Sequence, residues 1–343
     1  MAFYDGLFNA FGLREWCDAS AGNAKMTMAS LLAKTNPDAA DEGPLFPFPS
    51  MDELYKACPS FPQSREFTAG VEEAFLNAKD VLKTVLDPLT QPLSWLLEGA
   101  LFIFLAAPWW IVVPLILMFV WYVCRSVAVT TFVTVSFAFL AFIDHLDAAL
   151  QTLAIIAVCT GICIILGVPV GIAMAKSNRF QRSLLPLLDL LQTLPTFVYL
   201  IPLIFLFSVT EPKLYGIAII VYAIVPVIRL TDLGIRLVDQ DVVEAANAFG
   251  MSSRQKLFGI ELPLALPNIM AGVNQTIMMS LAMVVIASLV SAPGLGVLVL
   301  RGIRNLELGV GLIAGLGIVL LAVILDRVSK AAIARVSSDQ TFK

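Results

Sequence analysis

Two apolar stretches of this sequence, 186–208 and 265–291, contain polar and aromatic side chains that could bind a small ligand. These residues are Thr193, Phe197 and Tyr199 in the first stretch and Asn274, Gln275 and Ser280 in the second. Polar groups inside long apolar segments are costly to bury and often functional. A structural role is the alternative, because polar side chains on packed helices also hydrogen-bond to one another and aromatic rings often face lipid.

Enzymatic and metal chemistry have little support in the sequence. A single His and five scattered Cys offer few metal ligands, and the odd number of cysteines predicts no disulfide framework. No stretch matches G-x-x-x-x-G-K-[ST], the loop whose backbone amides cradle nucleotide phosphates. We therefore expect no catalytic residue, no metal and no bound cofactor on this chain.

The composition excludes several other classes of protein. Of the 343 residues, 59% are hydrophobic and 14% are charged, and the mean hydropathy is +0.87. Soluble domains carry roughly 25% charged residues, so a soluble enzyme is not expected. Nucleic-acid binding is not expected either, because the formal net charge is −4 and no basic tract is present.

The elements that must position the polar residues are membrane helices. About 20 apolar residues cross the hydrocarbon core as a helix, in which the backbone satisfies its own hydrogen bonds. The charge-free runs predict an all-α integral membrane protein with about seven spans. The predicted spans are 102–123, 126–143, 148–175, 186–208, 214–229, 265–291 and 308–327. Prolines predict kinks in the first and fourth of them.

Charge divides the chain near residue 100. Residues 1–100 contain 14 Asp or Glu and 7 Lys or Arg, whereas Lys and Arg clusters follow the third, fifth and seventh spans. Because cytoplasmic loops are rich in Lys and Arg, we expect an extracytoplasmic tail (1–100), a membrane domain (101–335) and a short cytoplasmic C-terminal tail (336–343). Arg301 and Arg304 are exceptions to this rule, because this orientation places them on the extracytoplasmic side.

Two parts of the acidic tail have apolar residues at helical spacing. They are Phe3, Leu7, Phe8 and Phe11, and then Val71, Phe75, Ala78 and Leu82. Amphipathic helices of this kind either lie on the bilayer surface or pack on the membrane domain or a partner, and both readings stay open. The intervening stretch 36–64 is rich in Pro and polar residues and is predicted to be a linker.

The loop between the fifth and sixth spans, 239–263, is predicted to form two helices joined by a glycine bend. Apolar residues at i, i+3, i+4 and i+7 give its first helix one stripe, consisting of Val242, Ala245, Ala246 and Phe249. Gly250 suits the left-handed position after a helix, and Ser252 with Gln255 matches a capping box. Such a cytoplasmic knob can transmit a push from a soluble partner, although an ordinary amphipathic connector is the alternative.

The residues of this loop resemble a known motif. Glu244-Ala245-Ala246, then Gly250, then Ile260-x-Leu262-Pro263 is similar to the EAA motif of ABC importer permeases, including its spacing. Longer stretches, DLLQTLPTFVYLIPLIFLF (189–207) and IMAGVNQTIMMSLAMVVIASLV (269–290), resemble the permease subunit of the glycine betaine/proline betaine uptake family. The similarity covers about residues 100–335.

This resemblance implies a type I ABC importer in the bacterial inner membrane. Such an importer contains two permease copies (here a homodimer), two cytoplasmic ATPases that bind ATP and Mg, and an extracytoplasmic solute-binding protein. Alternating access is driven from the ATPases through the EAA loop. The resemblance assigns the coupling role to Glu244, Ala245, Ala246, Gly250, Ile260 and Pro263.

The resemblance also implies a substrate class, a compact methylated amine such as glycine betaine, proline betaine, choline or trimethylamine N-oxide. A quaternary ammonium binds aromatic faces, which makes Phe197 and Tyr199 candidates for the path, with Thr193, Asn274, Gln275 and Ser280 as polar contacts. The alternative function is a secondary osmolyte carrier driven by an ion gradient. That alternative would need inverted repeats and usually an intramembrane ion site.

Overall fold

The computed structural model describes residues 64–341 together with Tyr4, Phe8, 10–13 and Cys58. Most of the first predicted amphipathic segment and the linker 36–64 lie outside the described residues. Clustering divides the chain into two compact units, Met1–Val81 and Leu82–Lys343. Within the described part, every regular element is helical.

Twelve α-helices are described between residues 64 and 341. They are α1 (Ser64–Ala106), α2 (Trp109–Cys124), α3 (Val127–Phe142), α4 (Leu146–Lys176), α5 (Asn178–Thr193), α6 (Leu200–Leu206), α7 (Pro212–Arg236), α8 (Gln240–Ala248), α9 (Ser253–Lys256), α10 (Leu262–Ala287), α11 (Leu295–Arg304) and α12 (Leu308–Thr341). A 3₁₀ turn, Thr196–Tyr199, leads into α6, and a π-helical turn, Leu257–Glu261, joins α9 to α10.

The predicted spans correspond to helices, with two changes at prolines. The first span does not run from residue 102, because the chain breaks at Pro108, which is the N-cap residue of α2. The fourth span is a broken one, in which α5 and the segment Thr196–Leu206 meet at 105° after Leu194. The residue before a proline avoids the helical region, so Pro195 explains the position of this break.

The C-terminal ends of several long helices lie on one face of the membrane domain. The Arg335 guanidinium donates to the Tyr122 carbonyl over 2.6 Å, which joins α12 to the end of α2. The Arg236 guanidinium donates to the Met174 carbonyl over 2.8 Å, which joins α7 to the end of α4. Loop 239–263 lies on the same side, since Lys176 forms an ion pair with Glu261. The wealth of Lys and Arg makes this the cytoplasmic face.

The opposite, outer face is marked by a second set of contacts. The Leu295 amide donates to Thr152 Oγ1 over 3.0 Å, so the start of α4 meets the start of α11. Ser291 Oγ donates to the Val209 carbonyl, which joins the α10–α11 turn to the segment before α7. Helices α2 and α3 have 16 residues each, which is about 24 Å of helix. They connect the two faces, because α2 ends at the inner face and α3 ends where α4 begins.

Part of α1 lies along the outer face rather than across the membrane. Asp87 forms an ion pair of 2.7 Å with Lys213 at the outer end of α7. Leu93 and Leu97 both lie within 3.1 Å of the Cβ position of Gly216, one turn further into α7. The far end of α1, Ala106, adjoins the outer start of α2. By length and composition α1 could span a membrane, but both ends of its Asp87–Ala106 part lie at the outer face.

By length and composition, five of the described helices could cross a membrane, or six if the bent α5–α6 pair is one span, whereas α2 and α3 are shorter apolar helices. Seven crossings require α2 and α3 to span in place of α1, so the predicted count of seven stays a prediction. Helix α1 continues through residue 100, so the predicted domain boundary does not coincide with a break in secondary structure and stays a prediction.

The sequence predicted no disulfide framework, but at least one disulfide is present. Cys58 is disulfide-bonded, whereas Cys124, Cys159 and Cys163 are free and buried. Disulfides persist in oxidising compartments, which fits an extracytoplasmic tail and reduced thiols inside the membrane body.

The core lies where α4, α7 and α10 pack against one another. Glycines allow their close approach: a Cβ on Gly171 of α4 would lie 2.6 Å from the Ile228 carbonyl oxygen of α7. A Cβ on Gly272 of α10 would lie 3.1 Å from the Val227 Cα. Loop 239–263 therefore connects two helices, α7 and α10, that pack tightly along their length.

Candidate functional site: the cytoplasmic coupling loop

The first helix of the loop, α8, ends in a well-formed glycine motif. Gly250 has φ +75°, its amide donates to the Asn247 carbonyl over 3.0 Å, and the Met251 amide donates to the Ala246 carbonyl over 3.1 Å. These two bonds define a Schellman motif, in which the C′ residue is left-handed. The predicted bend at Gly250 is confirmed.

The second helix of the loop, α9, begins at the predicted capping box. It is not a separate helix, because it is continuous with α10. Ser252 and Gln255 form the reciprocal capping box, with bonds of 2.8 Å and 3.4 Å. The helix then continues through the π-helical turn into α10, so Ser253–Val290 is one uninterrupted helical segment. Pro263 has no amide hydrogen and crowds the carbonyl four residues before it, and a π-turn is one way a helix relieves such a conflict. Ile260, in that turn, is half-buried.

The apolar stripe predicted for α8 was wrong in part. Val243 packs against the cluster formed by Ile235, Val238, Ala265 and Ile269, and Ala246 is 3% exposed. Val242, Ala245 and Phe249 face outward instead, with Phe249 87% exposed. Of the four residues in the predicted stripe only Ala246 is buried, because the cluster that α8 packs against lies on the side of Val243 and Ala246.

The outward side of the loop forms a free surface, which we call the coupling face: Val242, Glu244, Ala245, Phe249 and Phe258. Phe258 is 68% exposed, so two aromatic rings flank the Gly250 bend. The Glu244 carboxylate is exposed and forms no ion pair with any residue from 68 to 335. Exposed aromatic side chains beside an unpaired charge on a polar surface are typical of a protein-binding site.

Ion pairs and hydrogen bonds between polar side chains connect the base of the loop to α4, α5 and α7. The sequence analysis did not predict the whole of this cluster. Glu261 is 5% exposed and pairs with Lys176, 85 residues away. Arg236 binds Asp232 over 2.8 Å and Asn178 over 2.7 Å. Asp232 and Arg236 are four residues apart on α7, the spacing of an ordinary helical ion pair, whereas the partner of Glu261 is distant in the sequence and has no local signal. A cleft of about 310 Å³ lies between Lys176, Arg236 and Glu261.

The first set of predicted path residues lies around the 105° bend. Thr193 is exposed and its hydroxyl donates to the Leu190 carbonyl over 3.3 Å. Phe197 is 57% exposed, whereas Tyr199 is buried and its hydroxyl donates to the Leu191 carbonyl. Of these two aromatic rings, Phe197 is therefore the exposed one.

The second set lies on α10 and is mostly engaged by other helices. Ser280 is buried and accepts a hydrogen bond of 3.2 Å from Thr160 on α4. Asn274 binds Asp326 over 3.4 Å and accepts a hydrogen bond from Ser329, both on α12. Gln275 is exposed. Between the helices that carry the two sets, Gln192 Nε2 of α5 lies 4.0 Å from Met279 Sδ of α10. Over the described residues, no group of three or more His, Cys, Asp or Glu could hold a metal ion.

Comparison with known proteins agrees with this geometry. The family described as binding-protein-dependent transport system inner membrane component matches residues 167–338. The glycine betaine/proline betaine transport system permease protein ProW of Escherichia coli (strain K12) is 36% identical over 321 residues, 92% of this chain and 88% of that protein. The glycine betaine transport system permease protein OpuAB of Bacillus subtilis (strain 168) is 42% identical over 229 residues, 66% of this chain and 76% of that protein.

Two further similarities are more partial. The trimethylamine N-oxide transport system permease protein TmoV of Ruegeria pomeroyi is 41% identical over 196 residues, 57% of this chain and 30% of that protein. The inward-facing MetNI methionine ABC transporter shares the fold, with a TM-score of 0.51 at 18% identity over 56% of this chain and 95% of that chain. The chain therefore belongs to the binding-protein-dependent transport system inner membrane component family, and it is an inner-membrane ABC importer permease.

Proposed function

We propose that this permease is driven by a separate ATPase subunit that docks on the coupling face. The observation that carries the proposal is the exposure of Phe249 and Phe258 on either side of a rigid bend, on a loop whose other side is packed. Burying these two rings in a partner would remove apolar surface from water. The exposed Glu244 carboxylate is placed to pair with a cation at the rim of that partner.

The chain supplies no nucleotide site, since it has no phosphate-binding loop. ATP and Mg are bound by the partner. The complete importer contains two copies of this chain, two ATPase subunits and an extracytoplasmic solute-binding protein. The EAA-like pattern and the exposed loop together support a role in coupling to the ATPase for six residues. They are Glu244, Ala245, Ala246, Gly250, Ile260 and Pro263.

Helix continuity explains how a push at the loop reaches the membrane. The segment Ser253–Val290 begins beside the bend and ends at the outer face, so a displacement of the loop tilts it as a rigid rod. Asn274 joins that rod to α12 through Asp326, and Ser280 joins it to α4 through Thr160. These two residues act as positioning residues that carry the movement to neighbouring helices.

The substrate is a compact methylated amine. The names of the relatives support this class, since they specify glycine betaine, proline betaine and trimethylamine N-oxide. The exposed Phe197 ring offers a cation–π contact, worth about 0.5–2 kcal/mol. Thr193 and Gln275 offer exposed polar groups, and the buried Tyr199 supports the bend beneath Phe197.

Reconstitution tests the proposal. Vesicles containing this chain with its ATPase inside and the binding protein outside should accumulate labelled glycine betaine or trimethylamine N-oxide only when ATP is enclosed. Vesicles lacking the ATPase should show background uptake. Uptake by this chain alone, driven by a sodium or proton gradient, would contradict the proposal and establish the secondary carrier instead.

The coupling face gives a sharper prediction. Glu244→Ala should lower uptake and substrate-stimulated ATP hydrolysis by about fivefold, because one charge-assisted contact contributes roughly 1 kcal/mol at a partly exposed interface. Asp241→Ala is the matched control, since Asp241 is an exposed acid near the start of the same helix. Equal behaviour of the two variants in both assays would remove Glu244 from the coupling role.

A further inference from the structure

One ion pair of the membrane domain joins two helices well inside their apolar segments. Asp189 lies on α5 and Arg229 lies on α7, and the Arg229 guanidinium donates to the Asp189 carboxylate. Both residues belong to segments that are apolar enough to cross a membrane, α7 and the bent α5–α6 pair. Arg229 is seven residues from the cytoplasmic end of α7, which is about 10 Å of helix. A charged side chain at this depth is costly and usually functional.

The Arg229 side chain extends away from the cytoplasmic face. Gln181 of α5 donates to Asp232 of α7 over 2.6 Å, so these two residues lie at the same level. From that level Asp189 is eight residues further outward along α5, about 12 Å, whereas Arg229 is three residues outward along α7, about 4.5 Å. Long basic side chains near a helix end usually extend towards the interface. Arg229 extends the other way to meet its partner.

Apolar packing already holds α5 against α7, so the ion pair contributes something other than attraction. Leu188 of α5 is 2% exposed and packs in one cluster with Val225 and Ile228 of α7. Apolar contact is non-directional, and packed helices can slide past each other by small distances. An ion pair between two side chains specifies one register of the helices. The pair between Asp189 and Arg229 therefore makes α5 follow α7.

The pair lies between the coupling loop and the break in the fourth predicted span. Ten residues after Arg229, Asp239 caps α8, the first helix of the loop. Five residues after Asp189, α5 reaches its C-cap Leu194, where the chain bends by 105°. The exposed Phe197 ring comes directly after this bend. Movement of α7 can therefore reach the bend through the pair.

We propose that Asp189 and Arg229 are positioning residues for transport, which pass movement of the coupling loop through α7 to the bend beside Phe197. This inference rests on the proposed function, because it needs a coupling loop that a partner drives. The continuous segment Ser253–Val290 carries movement along α10, and the ion pair gives α7, the other helix joined to the loop, a route of its own. Without the pair, α7 would slide against α5, and ATP hydrolysis would no longer be coupled to uptake.

The test compares uptake with ATP hydrolysis in vesicles that contain the full assembly. Asp189→Asn and Arg229→Gln should each lower uptake about tenfold while substrate-stimulated ATP hydrolysis stays within about twofold of the wild type, because the coupling between the two is what is lost. The double variant Asp189→Arg with Arg229→Asp restores opposite charges and should recover uptake to within about threefold of the wild type. Lys330→Gln is the matched control, because its ion pair with Asp326 lies within one helix and sets no register between helices.

The melting midpoints of the two single variants should stay close to that of the wild type, since Leu188 keeps α5 packed. A loss of stability that parallels the loss of uptake would assign the pair to the fold and overturn the inference. A double variant that transports no better than the single ones would also overturn it. If the wild-type assembly shows no ATP-dependent uptake, the proposed function fails and this inference fails with it. ATP-dependent uptake that is the same in the wild type and the single variants would overturn this inference alone.

Discussion

Replacing Gly250 with Val is expected to lower uptake by at least tenfold while the protein still inserts into the membrane. Gly250 has φ +75° and no heavy atom within 4 Å of its Cβ position, so the effect comes from the backbone and not from a clash. An L-residue in the left-handed region costs roughly 1–2 kcal/mol, and a β-branched one resists it further. The bend would open, and Phe249 and Phe258 would no longer flank it. Uptake and substrate-stimulated ATP hydrolysis in vesicles measure this loss.

Two variants separate backbone strain from other effects. Gly250→Asn should keep most of the activity, because Asn tolerates the left-handed region. Gly309→Val should also be tolerated, since Gly309 is exposed, has no atom within 4 Å of its Cβ position and has an ordinary φ. Full uptake by Gly250→Val, or equal loss in Gly250→Asn, would show that the left-handed bend is not what coupling requires.

Replacing Lys176 with Met is expected to destabilise the folded permease. The Glu261 side chain is 6% exposed, and its charge is matched by Lys176, whose side chain is 41% exposed. Removing one partner of a fully buried pair typically costs about 3–5 kcal/mol, and the exposure of Lys176 to solvent lowers the expected cost to about 1–3 kcal/mol. The melting midpoint of the purified protein should fall by roughly 5 °C. Since Glu261 lies at the root of the coupling loop, uptake should fall as well.

The chain offers a matched control for this variant. Lys330→Met breaks an ion pair with Asp326 whose side chains are 63% and 26% exposed, and an exposed pair contributes about 0–1 kcal/mol. The double variant Lys176→Met with Glu261→Leu should recover most of the lost stability, because replacing both charges removes the unpaired one. Melting midpoints that are alike for Lys176→Met and Lys330→Met would show that the Lys176–Glu261 pair does not anchor the loop.

The features that the sequence predicted correctly depend on near neighbours along the chain. Hydropathy and charge indicated the helical spans and their orientation. Each span must satisfy its own backbone hydrogen bonds and contain few charged side chains, and the Lys and Arg residues of the loops indicate the cytoplasmic side. The Schellman motif at Gly250 and the capping box at Ser252 were predictable for the same reason, since their bonds join residues within five positions. The break before Pro195 also follows from one local steric rule.

The tertiary structure decided which surfaces meet. Helix α1 is apolar and long enough to cross a membrane, yet the Asp87–Lys213 pair places part of it along the outer face. The stripe predicted for α8 included Ala246 but not Val243, and the position of Ile235 and Ala265 determined that these two residues are packed while Phe249 is left exposed. Glu261 and Lys176 are 85 residues apart. The pattern of one segment shows which side chains of a helix are apolar enough to be buried. The packing of helices that are distant in the sequence decides which of them are buried, because burial depends on partner residues that lie outside that segment.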